Sequence, residues 1–304
     1  MVYFGNEIAA KKRKRRKKIE TACLAPFAPF CGHSFCSLCP LCLCGEIFRM
    51  KIATWNVNSI NVRMPQLLAW LAEADPDVVC IQETKTVDEK FPALTLKEAG
   101  YESTFIGQKS YNGVAIISKF PMVDVQKNFF NDDDESPKRM IAATLSGIRI
   151  VNTYIPNGTE LWSDKFKFKL DWLQRLRSFF DETCDTGQDV LLCGDFNVAM
   201  EETDVWDPSS MVGKLHFSKP ERAAMHNVKQ WGFTDLYRKM NGNVQEFSWW
   251  DYRAGAWQRN HGLRIDHIWA SASLAAKCTG CWIDKSTRAL TLPSDHAPVI
   301  AEFE

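Results

Sequence analysis

No apolar stretch in this sequence reaches the roughly 18 residues that a membrane-spanning helix needs, so a transmembrane protein is not expected. There is no excess of either charge, since 37 Lys and Arg balance 37 Asp and Glu. There is no internal repeat. From Met50 onward no His or Cys cluster has zinc spacing, and neither a nucleophile elbow nor a phosphate-binding glycine loop occurs. Those absences set aside structural zinc sites, elbow-type serine hydrolases and P-loop enzymes for this part of the chain.

What is present divides sharply near Met50. Residues 1–49 carry nine Lys and Arg against Glu7, Glu20 and Glu46, a surplus of six positive charges, and the remainder carries the opposite surplus. The first part contains an unbroken basic block, Lys11 to Lys18, and six of the eleven cysteines, from Cys23 to Cys44. It shows no helical or strand period. Cys31, His33, Cys36, Cys39 and Cys42 have part of a RING-type zinc spacing, but an upstream cysteine pair is missing. Coincidence in a biased segment is the preferred reading, and the basic block reads as a solvated charge run. Glu20, His33 and the prolines make a poor signal peptide. Residues 1–49 are therefore expected to be an extension, disordered or an over-long gene model. Residues 50–304 are expected to be the catalytic domain, with Met50 able to serve as a start. The scattered cysteines of the body, Cys80 and Cys193 among them, read as small buried hydrophobes of a reduced, intracellular protein.

In the body, short β-rich runs bounded by turn residues predict strands at 78–82, 114–118, 140–145, 148–154, 190–193, 265–270 and 299–303, with another opening at Met50. Helical spacing predicts Met64–Glu73 with Pro65 in its first turn. It also predicts Phe166–Phe180, with Phe166, Leu170, Leu173, Leu176 and Phe180 facing inward. Ser218 and Glu221 read as a capping box opening a helix over 221–231. Strands outnumber helices and often follow one another directly. The expected fold is an α/β sandwich of two packed mixed sheets with helices outside.

Five strands run straight into polar residues of catalytic type: Trp55-Asn56, Gln82-Glu83, Tyr154 to Asn157, Gly194-Asp195-Phe-Asn197 and Ser294-Asp295-His296. Loops at strand ends are the usual seat of active sites. Singly each is weak: a glutamate after a strand is commonly a solvated loop residue, and Asp-x-Asn after glycine is commonly an Asx-turn. Together they provide carboxylates, amides, a phenol and an imidazole, an oxygen-rich set suited to Mg²⁺ or Mn²⁺.

These segments, with Thr84-Lys85, Gly158 and Arg264-Ile-Asp266, stand in order over most of the chain after Met50. In that order and spacing the chain resembles the exonuclease III family of abasic-site endonucleases, within the endonuclease/exonuclease/phosphatase superfamily that includes deoxyribonuclease I. The resemblance implies a four-layer α/β sandwich and a Mg²⁺-dependent nuclease, with Mn²⁺ able to substitute. It implies Glu83 as principal metal ligand, with Asn56 beside it, Asp295 in support, and Asp195, Asn197 and His296 around the same ion. Asp195 would orient or deprotonate the attacking water and Asn197 would hold it. His296 would donate to a phosphate oxygen, and Asp266 would fix its tautomer. The choice of base between Asp195 and His296 stays open. Tyr154 and Asn157 would bind phosphate or assist the leaving oxygen.

The same resemblance places Trp249 and Leu263 at a pocket for a baseless sugar, although paired tryptophans are usually core. Arg63 and Asn112 are candidate DNA-backbone contacts, as are Lys85, Lys109 and Tyr111. The implied partner is double-stranded DNA with abasic sites or 3′ ends, met by a monomer with no membrane contact. The implied location is cytoplasmic and nucleoid-associated, with the basic block leaving a nuclear or organellar alternative. Two rivals remain: a phosphomonoesterase or lipid/inositide phosphodiesterase of the same superfamily, and a non-catalytic interaction protein using the basic extension as its arm.

Overall fold

A computed structural model describes residues 49–304, so the basic block, the cysteine-rich segment and the expected extension lie outside the described residues. Two six-stranded sheets are formed. The first runs in the order β11 (Cys278–Ile283), β12 (Val299–Phe303), β1 (Met50–Asn56), β2 (Val78–Gln82), β4 (Val114–Ser118), β3 (Glu102–Ile106). The second runs β5 (Val123–Lys127), β6 (Met140–Leu145), β7 (Ile148–Tyr154), β8 (Val190–Asp195), β10 (Asp266–Ser271), β9 (Phe233–Asp235). In both sheets one central pair is parallel, β1 with β2 and β7 with β8, and the other pairs are antiparallel.

The central strands are apolar on both faces because both faces are covered. Side chains alternate along a strand, so Val78 and Cys80 of β2 point into the layer between the sheets, where they meet Leu191 and Cys193 of β8 and Ile268 of β10. Val79 and Ile81 point outward and are covered by Leu67, Trp70 and Leu71 of α1 (Ile60–Ala74). On the other side, Val151, Leu192 and Trp269 are covered by α2 (Asp164–Thr183) and α3 (Lys219–Lys229). The result is the expected four-layer sandwich. All five cysteines of the described residues are free thiols, and among the described residues no helix is long and apolar enough to cross a membrane.

The strand runs read from the sequence coincide with the eight interior strands. The four that were not read, β3, β5, β9 and β11, are the four sheet edges. An edge strand faces solvent on one side and needs no continuous apolar run; β5, as Val-Asp-Val-Gln-Lys, is almost wholly exposed. Helix α1 begins four residues before the expected Met64, which moves Pro65 from the first turn into the body of the helix. The reason is tertiary. The N–H groups of Ser59 and Ile60 donate to the carbonyls of Glu83 (2.8 Å) and Thr84 (3.1 Å), so this loop holds the helix start. The capping box is present, with Glu221 accepting from Ser218 N–H, and it opens α3 at Lys219. On α2 the buried stripe runs through Lys169 and Trp172, leaving the expected Leu170 half-buried.

One polar bridge crosses the layer between the sheets. Gln82 Nε2 donates to Asn152 Oδ1 at 2.7 Å, and Asn152 Nδ2 donates to the carbonyls of Ala115 (2.8 Å) and Ile81 (3.0 Å). Buried polar groups left without a partner cost about 1–3 kcal/mol each. Asn152→Ala removes three buried hydrogen bonds, including those that the Ile81 and Ala115 carbonyls accept, and opens a small cavity, and a fall of about 2–4 kcal/mol in unfolding free energy is expected. Urea melts of the two proteins check this; a difference below the error of extrapolation would refute it.

Candidate active site

The topology delivers the chemistry to one end of both sheets. Strands β1 and β2 end side by side, Asn56 opposite Gln82, so Asn56 and Glu83 emerge together. Strands β7 and β8 end with Tyr154 opposite Asp195. Because β10 runs antiparallel to β8, its first residue, Asp266, also pairs with Asp195. β12 runs antiparallel to β1, so the segment before it, Ser294 to His296, lies over the end of β1. There Ser294 Oγ donates to Asn56 O (2.7 Å) and Trp55 Nε1 to His296 O (3.2 Å). Gly194 is required for this approach: its φ is 138°, and a Cβ would lie 1.9 Å from the Thr153 carbonyl on the neighbouring strand.

Glu83, Asp195 and His296 bring one ligand atom each to within 4.8 Å of one another. Asn56 binds the two acids together, its Nδ2 donating to Glu83 Oε1 (2.8 Å) and Asp195 Oδ2 (2.9 Å). Its Oδ1, the atom that could ligate an ion, accepts from Asn58 N–H. Lys85 Nζ stands 2.6 Å from Glu83 Oε2 and also donates to Asn58 Oδ1. Burial works to raise the Glu83 carboxyl, but the Lys85 charge, the Asn56 hydrogen bond and the His296 charge outweigh it, leaving the group below its ordinary value. Glu83, Lys85 and Asn197 all have φ near +50°, a left-handed conformation that non-glycine residues hold where surrounding structure imposes it.

Asp195 and His296 are the electrostatic centre. His296 Nδ1 lies 2.8 Å from Asp266 Oδ2, and its Nε2 lies 3.7 Å from Asp195 Oδ2. Burial would lower the imidazole, yet Asp266 and Asp195 raise it to about 10. Asp195 moves up to about 7, chiefly through burial opposed by the His296 charge, with Asp266 and Glu83 adding repulsion. Its Oδ1 accepts from Asn197 N–H at 2.9 Å.

The remaining sequence candidates divide. Asn157 Nδ2 donates to Asn197 Oδ1 (3.1 Å), while Asn197 Nδ2 donates to Ile155 O (3.0 Å). Tyr154 is half-buried under the Arg139 guanidinium, 4.6 Å from its ring; burial and the charges of Glu83 and Asp195 push its hydroxyl well up. Asp295 lies outside the three-residue cluster, and its oxygens accept from Asn58 Nδ2 (2.9 Å) and Trp249 Nε1 (3.0 Å). Trp250 is core, but Trp249 is half-buried and bridges Leu263 and His296 through its backbone. Leu263 is buried with Val205 and Phe217. Arg63 makes three hydrogen bonds inside the chain, to the Asn58 and Pro293 carbonyls and the Tyr252 hydroxyl. Asn112 accepts from Lys85 N–H through its carbonyl and donates to Gln108 with its amide, so it shapes the Lys85 loop.

Two contributors, Asn58 and His216, were not read from the sequence, and Arg264 was read only as part of a motif. Asn58 ties Lys85 to Asp295. His216 Nδ1 lies 2.7 Å from the Asn197 carbonyl, with its ring 6.1 Å from that of Trp249. Buried Arg264 pairs with both Asp204 (2.6 Å) and Asp235 (2.8 Å) two residues before Asp266. Short-range pattern carries no sign of these partners, which come from distant segments.

A family model described as Endonuclease/Exonuclease/phosphatase family matches residues 53–296. Exodeoxyribonuclease III of Haemophilus influenzae is 33% identical over 267 residues, covering 84% of this chain and all of that protein. Among solved structures, a 3′ phosphatase from Neisseria, NExo, bound to a product DNA hairpin, is 44% identical with a TM-score of 0.81, covering 84% of this chain and 99% of that one. An AP endonuclease from Archaeoglobus fulgidus is 38% identical, also with a TM-score of 0.81, over 84% and 99%.

Proposed function

As a member of the endonuclease/exonuclease/phosphatase family, the chain is a DNA repair nuclease, and we propose that residues 50–304 are its catalytic domain, incising duplex DNA 5′ to abasic sites and trimming 3′ ends. What supports this reading is the convergence of Glu83, Asp195 and His296 at the shared end of two sheets.

The donor set fits a hard divalent ion, Mg²⁺ with Mn²⁺ as substitute. Two carboxylates face one another, and within this cluster the Glu83 charge is met by Lys85. Glu83 would hold the ion, with Asp195 in reach; His296, while protonated, has no lone pair to offer it. When bound, it supplies positive charge to the phosphate oxygens as the bond breaks.

The protein groups do the rest. Asp195, raised toward neutrality, is the group suited to accept a proton from the attacking water, because a base works best with its pKa near the working pH. His296, kept cationic by Asp266, is a poor base at neutral pH. Its Nε2–H is instead a donor to a non-bridging phosphate oxygen as charge develops. Asn56 holds the two carboxylates together, and Asn157 and Asn197 contact phosphate. Tyr154 keeps its proton and stands beside the leaving oxygen. Trp249 and Leu263 border the space for an extruded sugar, which is easy to flip when it has no base to unstack. Removal of a 3′ phosphate is the same attack at phosphorus, and the likeness to the Neisseria 3′ phosphatase favours it as a companion activity. The enzyme is proposed to act as a cytoplasmic monomer.

The test is incision of an abasic duplex by the purified protein with Mg²⁺. Chelation with EDTA should abolish cutting, and Glu83→Ala should lower it by at least about 10²-fold. Wild-type protein that leaves the duplex uncut, like the Glu83→Ala protein, would refute the reading. Hydrolysis of soluble phosphoesters in place of DNA would favour the phosphomonoesterase alternative.

A further inference from the structure

Beneath the two catalytic-loop amides lies an ion pair that the chemistry above does not use. Lys169, on the inward stripe of α2, and Glu221, in the first turn of α3, are both wholly buried, with Nζ 2.5 Å from Oε1. Such a pair loses more hydration than its attraction returns unless its other hydrogen-bonding positions are filled. An ammonium has three N–H bonds, and three acceptors surround this one: Glu221 Oε1, the Asn197 carbonyl at 2.8 Å and the Asn157 carbonyl at 3.2 Å.

Those carbonyls belong to different loops. Asn157 follows β7 and Asn197 follows β8, and their side chains meet above the ammonium, Asn157 Nδ2 on Asn197 Oδ1. Asn197 sits at a φ of 52°, a conformation that needs outside support. Glu221 holds the cation from below, and it also accepts from the backbone N–H groups of His216 and Ser218. An apolar side chain could fill the same volume. It could not bond both main-chain carbonyls, as the ammonium does beneath the direct link between the two side chains.

We propose that Lys169, held in place by Glu221, is a positioning residue, a single buried ammonium that fixes the separation of the Asn157 and Asn197 loops so that their amides meet the scissile phosphate together. The proposal rests on the nuclease reading of the site. Misplacement of a reacting group by about 1 Å can cost on the order of 10²-fold in rate.

The test uses the full chain with Mg²⁺ on two substrates, an abasic duplex and a nicked duplex ending in a 3′ phosphate. In the double variant Lys169→Met/Glu221→Leu, no charge is left unpaired. Its Tm is expected to fall by several degrees, because the His216 and Ser218 N–H groups and the two loop carbonyls lose a partner, while kcat, measured well below Tm, falls by about 10–100-fold and KM stays nearly unchanged. Wild-type kcat in the double variant overturns the proposal. Should the double variant not fold, Glu221→Gln decides, because Lys169 can still reach both carbonyls. A lowered Tm with most of kcat retained supports positioning, and a kcat that falls in step with Tm overturns it. Wild-type protein idle on both duplexes would instead defeat the nuclease reading itself, and this proposal with it.

Discussion

Asp195→Asn is expected to lower kcat on an abasic duplex by about 10²–10⁴-fold, the range that a positioned acid or base contributes. The substitution keeps the volume but removes the proposed proton acceptor. It also disturbs the hydrogen bonds around it, since Oδ1 accepts from Asn197 N–H and Oδ2 from Asn56 Nδ2, and an amide can accept at only one of the two. KM should move much less than kcat, because the loss falls on the transition state. Single-turnover cleavage with circular dichroism as a fold control is the measurement. A loss of less than about tenfold would remove Asp195 from the role of base and return His296 to consideration.

Arg264→Met is expected to produce the largest loss of stability, about 3–5 kcal/mol, because it leaves buried Asp235 without its arginine partner, while Asp204 keeps Arg238. Arg264 is the shared partner of Asp204 and Asp235, all three being essentially inaccessible. Burial works to raise both carboxyls, but Arg264 outweighs it, holding Asp204 below its ordinary value and Asp235 well below. A carboxylate depressed on folding contributes stability that is full above its unfolded pKa, about 3.9, and is lost as pH falls through the folded value. Without Arg264, burial dominates and the sign reverses for Asp235. The charged form is then penalised at neutral pH, and the penalty shrinks on acidification. The Tm of the variant should therefore lie roughly 10 °C below wild type near neutrality, taking about 2–4 °C per kcal/mol for a domain of this size. The gap should narrow toward pH 5. Thermal melts across pH check this, and a gap that widens with acid would contradict it.

The sequence made the interior of this fold readable and its margins unreadable, for one physical reason. The interior strands are buried on both faces and must be apolar, whereas β3 and β5 need only satisfy half a ladder and can be written in polar residues. Asn56, Glu83, Asp195 and Asn197 were readable because each ends or closely follows an apolar strand, as Glu83 follows Gln82, whereas His296, expected at a strand's end, precedes β12, and Asp266 opens β10. Their supports were not. Asn152 reads as one polar residue in a strand, and its partner Gln82 is distant in sequence. Lys169 did leave a trace: it stands three residues after Phe166 and four before Leu173, on the apolar stripe, where a lysine has no access to water. Arg63, read as a DNA-backbone candidate from its charge, also bonds Asn58, Tyr252 and Pro293, an anchoring that local pattern does not show.

Glu83 and Asp195 leave different sheets, and what separates those sheets is a layer of side chains that includes Cys80 and Cys193. The proposed catalytic centre therefore has no scaffold of its own; its internal spacing is inherited from the thickness of a hydrophobic layer. That makes the middle of the molecule a gauge block. A change of one methylene there, far from any substrate, alters the gap between the two carboxylates, while an equal change under an outer helix alters only how firmly one sheet is covered. Tolerance to substitution should accordingly be asymmetric: outer layers free to drift in size, the inner one confined to size-matched residues for the sake of chemistry.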